Sequence, residues 1–251
     1  MPPQTLIKNL SQILPDQPPS PTRNQPSAPS RPKACCADCR CRPIYGLFAL
    51  CLVCLRRQRY ARLNPEQQRS RRAEFVPLRY VDAALDDLSG AVRERLEGFE
   101  NLTGLYLWGD VRLGKTHILA ALANHLVAAG RLIKWISFGD FLAAVRATYH
   151  ENALRTEQTL MDTVMSAEYL FIDDLGAECP SDKPASDFAC QVLFRILNAR
   201  GNAEIPTYIS SNKPISAIGQ NYDPRIEYRL REYAELPVSG TPRRREGDIG
   251  R

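Results

Sequence analysis

The sequence predicts an α/β protein: a five-stranded parallel sheet covered by helices on both faces, preceded by a small cysteine-rich module. Three observations carry this. From Phe75 onward, short β-like runs alternate with longer helical patterns, the signature of βαβ units. An apolar run ending at Trp108 leads into Gly109-Asp-Val-Arg-Leu-Gly-Lys-Thr116, a glycine loop between a strand and a helix. Six of the eight cysteines crowd into residues 35–54.

Along the chain, Leu6, Leu10 and Ile13 or Leu14 recur at helical spacing, so residues 1–14 read as a short amphipathic helix that Pro15 closes. Residues 15–34 are rich in proline and serine without an apolar period and read as a disordered linker. The cysteine module comes next at 35–55, then a basic, glutamine-containing connector at 56–75, with helical character, and a large domain at 76–251. In that domain the expected strands are Leu105–Trp108, Leu132–Ser137, Tyr169–Ile172, Thr207–Ser210 and Leu236–Val238. The expected helices are Lys115–Ala129, Phe138–Ala147, Arg155–Ser166, Phe188–Ala199 and Pro224–Tyr233. Buried parallel strands with helices between them suit a doubly wound arrangement.

Composition bounds the class. The chain has 251 residues, 44% of them hydrophobic, as in an ordinary globular protein. No run approaches the roughly 20 apolar residues of a membrane span. The N-terminus lacks the pattern of a signal peptide, so the expected location is the cytoplasm, away from any membrane. Charge is uneven. Residues 1–75 hold about 13 Lys and Arg against about 4 Asp and Glu, while the whole chain is only +5. The basic character therefore belongs to the N-terminal third and suits a nucleic-acid or acidic-protein partner.

The glycine loop matches G-x4-G-K-T, and the chemistry explains the order. The strand delivers the loop to the carboxyl edge of the sheet. Gly109 and Gly114 let the backbone of Asp110, Val111, Arg112 and Leu113 wrap phosphates with N–H groups pointing inward. The helix that begins near Lys115 adds the positive end of its dipole. Lys115 is expected to reach the β- and γ-phosphates, the Thr116 hydroxyl to ligate Mg²⁺, and His117 to complete the motif on the first helical turn. The second half is Tyr169-Leu-Phe-Ile-Asp-Asp, a buried strand that ends in two carboxylates. Asp173 is expected to hold Mg²⁺ and Asp174 to orient or activate the attacking water. Asn212, at the polar tip of the Thr207–Ser210 strand, is a candidate to hydrogen-bond the γ-phosphate or that water. Each feature alone has a plainer reading, such as a surface turn or a solvated Asp-Asp pair; their joint placement at one sheet edge favours the nucleotide site.

With these residues in hand, the chain resembles the AAA+ ATPases of the DnaC-like helicase-loader and IstB-like group. The likeness runs from about Phe75 to Arg243. It rests on Val76-Pro-Leu-Arg-Tyr-Val-Asp, Gly104-Leu-Tyr-Leu-Trp-Gly with Gly114-Lys-Thr-His, Phe171-Ile-Asp-Asp-Leu-Gly-Ala-Glu, Leu193-Phe-Arg-Ile-Leu-Asn-Ala-Arg and Pro206-Thr-Tyr-Ile-Ser-Ser-Asn. The resemblance implies an AAA+ P-loop NTPase domain, ATP with Mg²⁺, and self-association into head-to-tail oligomers. It also implies an arginine that reaches a neighbour's γ-phosphate. Arg225-Ile-Glu-Tyr-Arg-Leu matches the family's R-x-x-x-R-L segment, which makes Arg229 the choice and Arg225 the runner-up. Gly240-Thr-Pro-Arg resembles the closing arginine motif and makes Arg243 a sensor of bound nucleotide. Arg112 and Leu113 depart from the small residues usual in the loop, and a glutamate is more usual at the position of Asp174, so slow, stimulated hydrolysis is expected.

Cys36, Cys39, Cys51 and Cys54 form C-x2-C-x11-C-x2-C, and four thiolates satisfy tetrahedral Zn²⁺. Metal would supply folding energy that so short a segment cannot draw from a core. Cys35 and Cys41 leave the ligand register open; Cys179 and Cys190 read as ordinary thiols. The leading functional expectation is a loader of a replicative DNA helicase onto single-stranded DNA. The alternatives are an IstB-like transposition helper and an ATP-switched adaptor with little hydrolysis.

Overall fold

The computed structural model describes residues 51–150, 153–179 and 184–240, together with the backbone of two short strands, β1 (Ala34–Cys35) and β2 (Pro43–Ile44). The chain divides into two units, Met1–Leu50 and Cys51–Arg251. In the first, β1 and β2 pair antiparallel, Ala34 opposite Ile44 and Cys35 opposite Pro43. The helix expected at 1–14, most of the linker, Cys36, Cys39 and Arg243 lie outside the described residues.

The second unit opens with α1 (Leu52–Ala61) and α2 (Pro65–Ala73). The segment expected as a connector is therefore two helices. Asn64 and Gln67 form a reciprocal cap at the start of α2, with Pro65 at its first position, which satisfies otherwise orphaned N–H groups. Both helices are anchored to the sheet domain downstream of them. Arg56 donates to the Gly130 carbonyl at 3.2 Å, Tyr60 packs on the core, and Arg69 and Arg72 both pair with Asp82. At Gly130 (φ +80°) a Cβ would lie 2.4 Å from the Val53 carbonyl oxygen, so a glycine that ends one helix also lets α1 approach.

A short helix, α3 (Gly90–Arg95), precedes the sheet. The five strands are β3 (Gly104–Trp108), β4 (Ile133–Ser137), β5 (Tyr169–Leu175), β6 (Thr207–Ser211) and β7 (Ala234–Pro237). Their spatial order is β4-β5-β6-β3-β7, and every pair is parallel. The connections carry α4 (Lys115–Ala128), α5 (Phe138–Ala147), α6 (Glu157–Met165), α7 (Asp187–Asn202), α8 (Ile215–Asn221) and α9 (Pro224–Leu230). Strand alternation splits the core in two. Leu105, Leu107, Phe171 and Tyr208 pack with α4 on one face; Tyr106, Leu170, Ile172 and Ile209 pack with α5, α6, α7 and α8 on the other.

The expected strands and helices recur with small shifts at their ends. The largest are three residues, where β5 runs on to Leu175, α7 runs on to Asn202 and α9 stops at Leu230; at the sheet edge, β7 begins at Ala234 rather than Leu236. It is an edge strand whose backbone pairs with Leu105 and Tyr106 while Ala234 and Glu235 stay exposed, so its first half has no apolar pattern to betray it.

Candidate functional site

Because β3 lies between β6 and β7, and β6 lies between β3 and β5, the carboxyl ends of these four parallel strands share one sheet edge with the glycine loop. Gly109 has φ +153°, and a Cβ there would sit 2.2 Å from the Val238 carbonyl oxygen. That loop residue thus runs against the end of β7, where Val238 N–H also donates to the Trp108 carbonyl at 2.7 Å. Gly114 (φ +89°) turns the chain into α4. Arg112 holds φ +70° without being a glycine, a costly conformation for a side chain with a Cβ. Leu113 is half-buried and packs on the core, which anchors the loop from within. Val111 is 64% exposed at its lip.

Lys115 is buried at 5% exposure. Its ammonium donates to the carbonyls of Gly109 at 2.9 Å and Asp110 at 2.7 Å. Burial pulls its pKa below the ordinary lysine value, and Asp174, Asp110 and Asp173 oppose the shift. Thr116 donates to Asp173 Oδ1 at 3.1 Å, and Ser210 on β6 donates to the same oxygen at 2.5 Å. Asp173 is 8% exposed. Burial raises its pKa, the Ser210 bond lowers it, Asp174 raises it again and Thr116 lowers it. Its neighbour is different: β5 bulges between Ile172 and Leu175, Asp174 takes φ +55°, its N–H donates to Ser210 Oγ at 3.0 Å, and its side chain is exposed. The bulge puts two consecutive carboxylates to two uses, one buried on hydroxyls and one at the cleft.

That cleft measures about 630 Å³ and is lined by Lys115, Thr116, Arg112, His117, Asp174 and Asn212, with Arg79 and Tyr80 opposite. The volume suits a small ligand. The donor set fits a divalent cation with phosphate nearby: a threonine hydroxyl and a carboxylate already meet, with a lysine ammonium held at the loop. Thr116 and Asp173 would hold the cation, and Lys115 and the loop would hold the phosphates.

Arg229 is tied within its own subunit, donating to Asn198 at 2.7 Å and Asn202 at 3.0 Å. Arg225 is more exposed, pairs with Asp223 at 2.8 Å and lies over the Phe194 ring. Both are on α9. Cys51 precedes α1 and Cys54 lies within it, both buried; among the described residues no group of three or more metal-binding side chains assembles. Burial raises the pKa of both Cys179 and Cys190, in keeping with inert thiols.

Four side chains escaped the sequence reading. Ser210 lies on the central strand β6, Thr207-Tyr-Ile-Ser-Ser211, all of it buried; hydroxyl residues on a buried strand were the available signal. Tyr80 and its neighbour Arg79 wall the cleft from a segment far upstream. Asn124, on α4, donates to the carbonyls of Tyr80, Val81 and Ala83 at 3.0, 3.2 and 2.9 Å; a buried asparagine in an apolar helix was its only trace.

The sequence profile of the IstB-like ATP binding protein family matches residues 87–225, more than half of the chain. The chain belongs to this family. The matched stretch contains the glycine loop and the paired aspartates. Among individual proteins, the chain is similar to the "Replicative helicase loader DnaC" of Escherichia coli K12, 24% identical over 140 residues, 55% of each chain. It is also similar to the "Replicative helicase loader DnaI" of Bacillus subtilis, 29% identical over 109 residues, 43% of this chain and 33% of that one. A solved structure titled "Crystal Structure of the DnaI" superposes with a TM-score of 0.54 at 25% identity, covering 68% of this chain and 95% of that one. The chain spans about half the length of the DnaC relatives it matches. The AAA+ P-loop domain with a five-stranded parallel sheet is thus its fold. No helix among the described residues is long and apolar enough to cross a membrane.

Proposed function

We propose that this chain is an ATP-driven loader of a replicative DNA helicase onto single-stranded DNA. The observation that carries the ATP half is the meeting of Thr116 and Ser210 on one oxygen of Asp173, beside a buried Lys115. ATP with Mg²⁺ supplies a phosphoanhydride whose cleavage is driven by neutralised charge. The chain's residues divide the rest. Lys115 and the loop amides bind phosphate, and Thr116 and Asp173 fix the cation. Asp174 orients the attacking water, Asn212 hydrogen-bonds at the terminal phosphate, and Arg79 and Tyr80 flank the base. An oligomer completes each site with Arg229 from the adjacent subunit, and Arg243 senses the bound nucleotide. Hydrolysis is slow and stimulated by DNA or partner.

The loader half rests on the names of the relatives. The basic N-terminal third, with zinc held by Cys36, Cys39, Cys51 and Cys54, is the helicase-binding part of this proposal. The match to the IstB-like family supports a second reading, a helper ATPase in transposition. The experiment is a pull-down with the full chain, ATP and Mg²⁺, against the replicative helicase and a transposase in parallel, with zinc measured by elemental analysis. Capture of helicase in stoichiometric amount, and about one zinc per chain, is the expected result. Capture of the transposase alone overturns the loader reading, and metal-free protein overturns the zinc assignment.

A further inference from the structure

The turn that comes after Asp174 is connected to the helix that carries Arg225 and Arg229. Glu178 makes the connection. One of its carboxylate oxygens accepts from Gly176 N–H at 3.0 Å; the other accepts from the Tyr222 hydroxyl. Gly176 is two residues beyond Asp174. Its Ala177 neighbour closes the turn by donating back to the Asp174 carbonyl at 3.1 Å. Tyr222 ends α8, and its backbone is fixed there: Tyr222 N–H donates to the Ile218 carbonyl at 2.8 Å and Cys190 Sγ donates to the Tyr222 carbonyl at 3.5 Å. Asp223, next in sequence, caps α9 through Arg225 N–H at 2.7 Å. A short chain of polar contacts thus runs from the second aspartate of the site to the first turn of α9.

We propose that Glu178 and Tyr222 form a strap that couples the state of the nucleotide site to the setting of α9, and so to the arginines α9 offers a neighbouring subunit. The inference rests on the ATP reading above and adds to it a route of regulation. Three features favour it. A half-buried carboxylate that accepts two bonds holds its donors more firmly than neutral partners would. Asp174 sits in a left-handed bulge, a strained conformation of the kind found at switching positions. The strap also has no role in closing the cleft: neither Glu178 nor Tyr222 lines it, so the two act as positioning residues. Burial and then Glu178 hold the Tyr222 phenol far above its ordinary pKa, which keeps it a donor at every physiological pH.

The test is hydrogen exchange of the full chain with and without a slowly hydrolysed ATP analogue and Mg²⁺. In the unmodified protein, residues 109–117 and 224–230 both change protection on adding nucleotide. Tyr222→Phe preserves the ring and removes the hydroxyl; it keeps the response at 109–117 and loses most of that at 224–230, at least about fivefold in exchange rate. Glu178→Gln has only one acceptor oxygen and has the same effect. The double variant is no worse than either single one, because both break one link. An undiminished response at 224–230 in Tyr222→Phe, or strictly additive losses, overturns the strap. No response at 224–230 in the unmodified protein while 109–117 is protected overturns it too. A loop that never responds overturns the ATP reading itself, and the strap with it.

Discussion

Asp173 and Lys115 are both nearly buried; burial works against the charge of each, and specific partners work for it. Lys115 donates to two loop carbonyls, and three aspartates support its ammonium electrostatically. Lys115→Ala removes a cation from the phosphates, which backbone amides cannot replace. ATP affinity, measured by calorimetry, should fall at least about 100-fold while the fold survives; an unchanged Kd would refute the nucleotide site. Ser210 works at one remove. It orients Asp173 without facing the cleft itself, as outer-shell groups do at metal sites. Ser210→Ala should raise the Mg²⁺ concentration needed for ATP binding about ten-fold while affinity in saturating Mg²⁺ stays near normal. Equal Mg²⁺ titrations for the two proteins would show that the hydroxyl is only structural.

At the scale of elements, α4 does more than present Lys115. Two turns beyond the loop it offers Asn124, whose amide satisfies three carbonyls of the segment that walls the cleft. Buried carbonyls left without donors cost about 1–3 kcal/mol each. Asn124→Leu keeps the branched shape and removes the donors. The Tyr80 carbonyl keeps a second donor in Ala83 N–H, so two carbonyls are orphaned; stability should fall by about 2–6 kcal/mol and ATP affinity about ten-fold, read from denaturant melts and calorimetry. Normal affinity in the destabilised variant would mean that the Tyr80 wall is not part of the nucleotide site. Arg200 plays a comparable part across the sheet. Fully buried, with its pKa lowered to about 10, it donates to Val164, Met165, Ala167 and Pro206 carbonyls and to Thr207. It therefore closes the open end of α6 with no carboxylate partner.

The whole molecule raises two further expectations. The compact unit begins at Cys51, not at Val76, because α1 covers the far end of α4 and α2 is pinned to Asp82. Residues 51–251 should melt in one cooperative transition. Residues 76–251 lose the Arg56 and Tyr60 contacts and should melt lower by roughly 2–4 °C for each kcal/mol removed; identical melting temperatures would make α1 and α2 a dispensable appendage. The second expectation concerns assembly. Arg229→Ala should retain ATP binding and lose hydrolysis, as should Asp174→Asn, and mixing the two should restore part of it, since one interface in each mixed pair has both groups intact. Arg225→Ala serves as the comparison, with a smaller loss. Two variants that both bind ATP and oligomerise, yet recover nothing on mixing, would rule out a shared site.

The sequence by itself determined the parallel sheet, the phosphate loop and the placing of two aspartates at the end of a buried strand. Each is a local pattern: apolar period, glycine spacing, chain order. Several strand and helix limits, such as Phe138–Ala147, could be read to the residue for the same reason. Only the tertiary structure decided how Asp173 and Asp174 differ, because a bulge in β5 turns one into the core and the other into the cleft. It also brought in Ser210, Tyr80 and Asn124. Their roles depend on β6 lying between β3 and β5 and on an upstream segment folding back over α4. Such contacts join residues tens of positions apart, and periodicity carries no information about them. The edge strand β7 and the helices at 52–73 were blurred for a related reason: their stability comes from pairing and packing against distant elements, not from a pattern of their own.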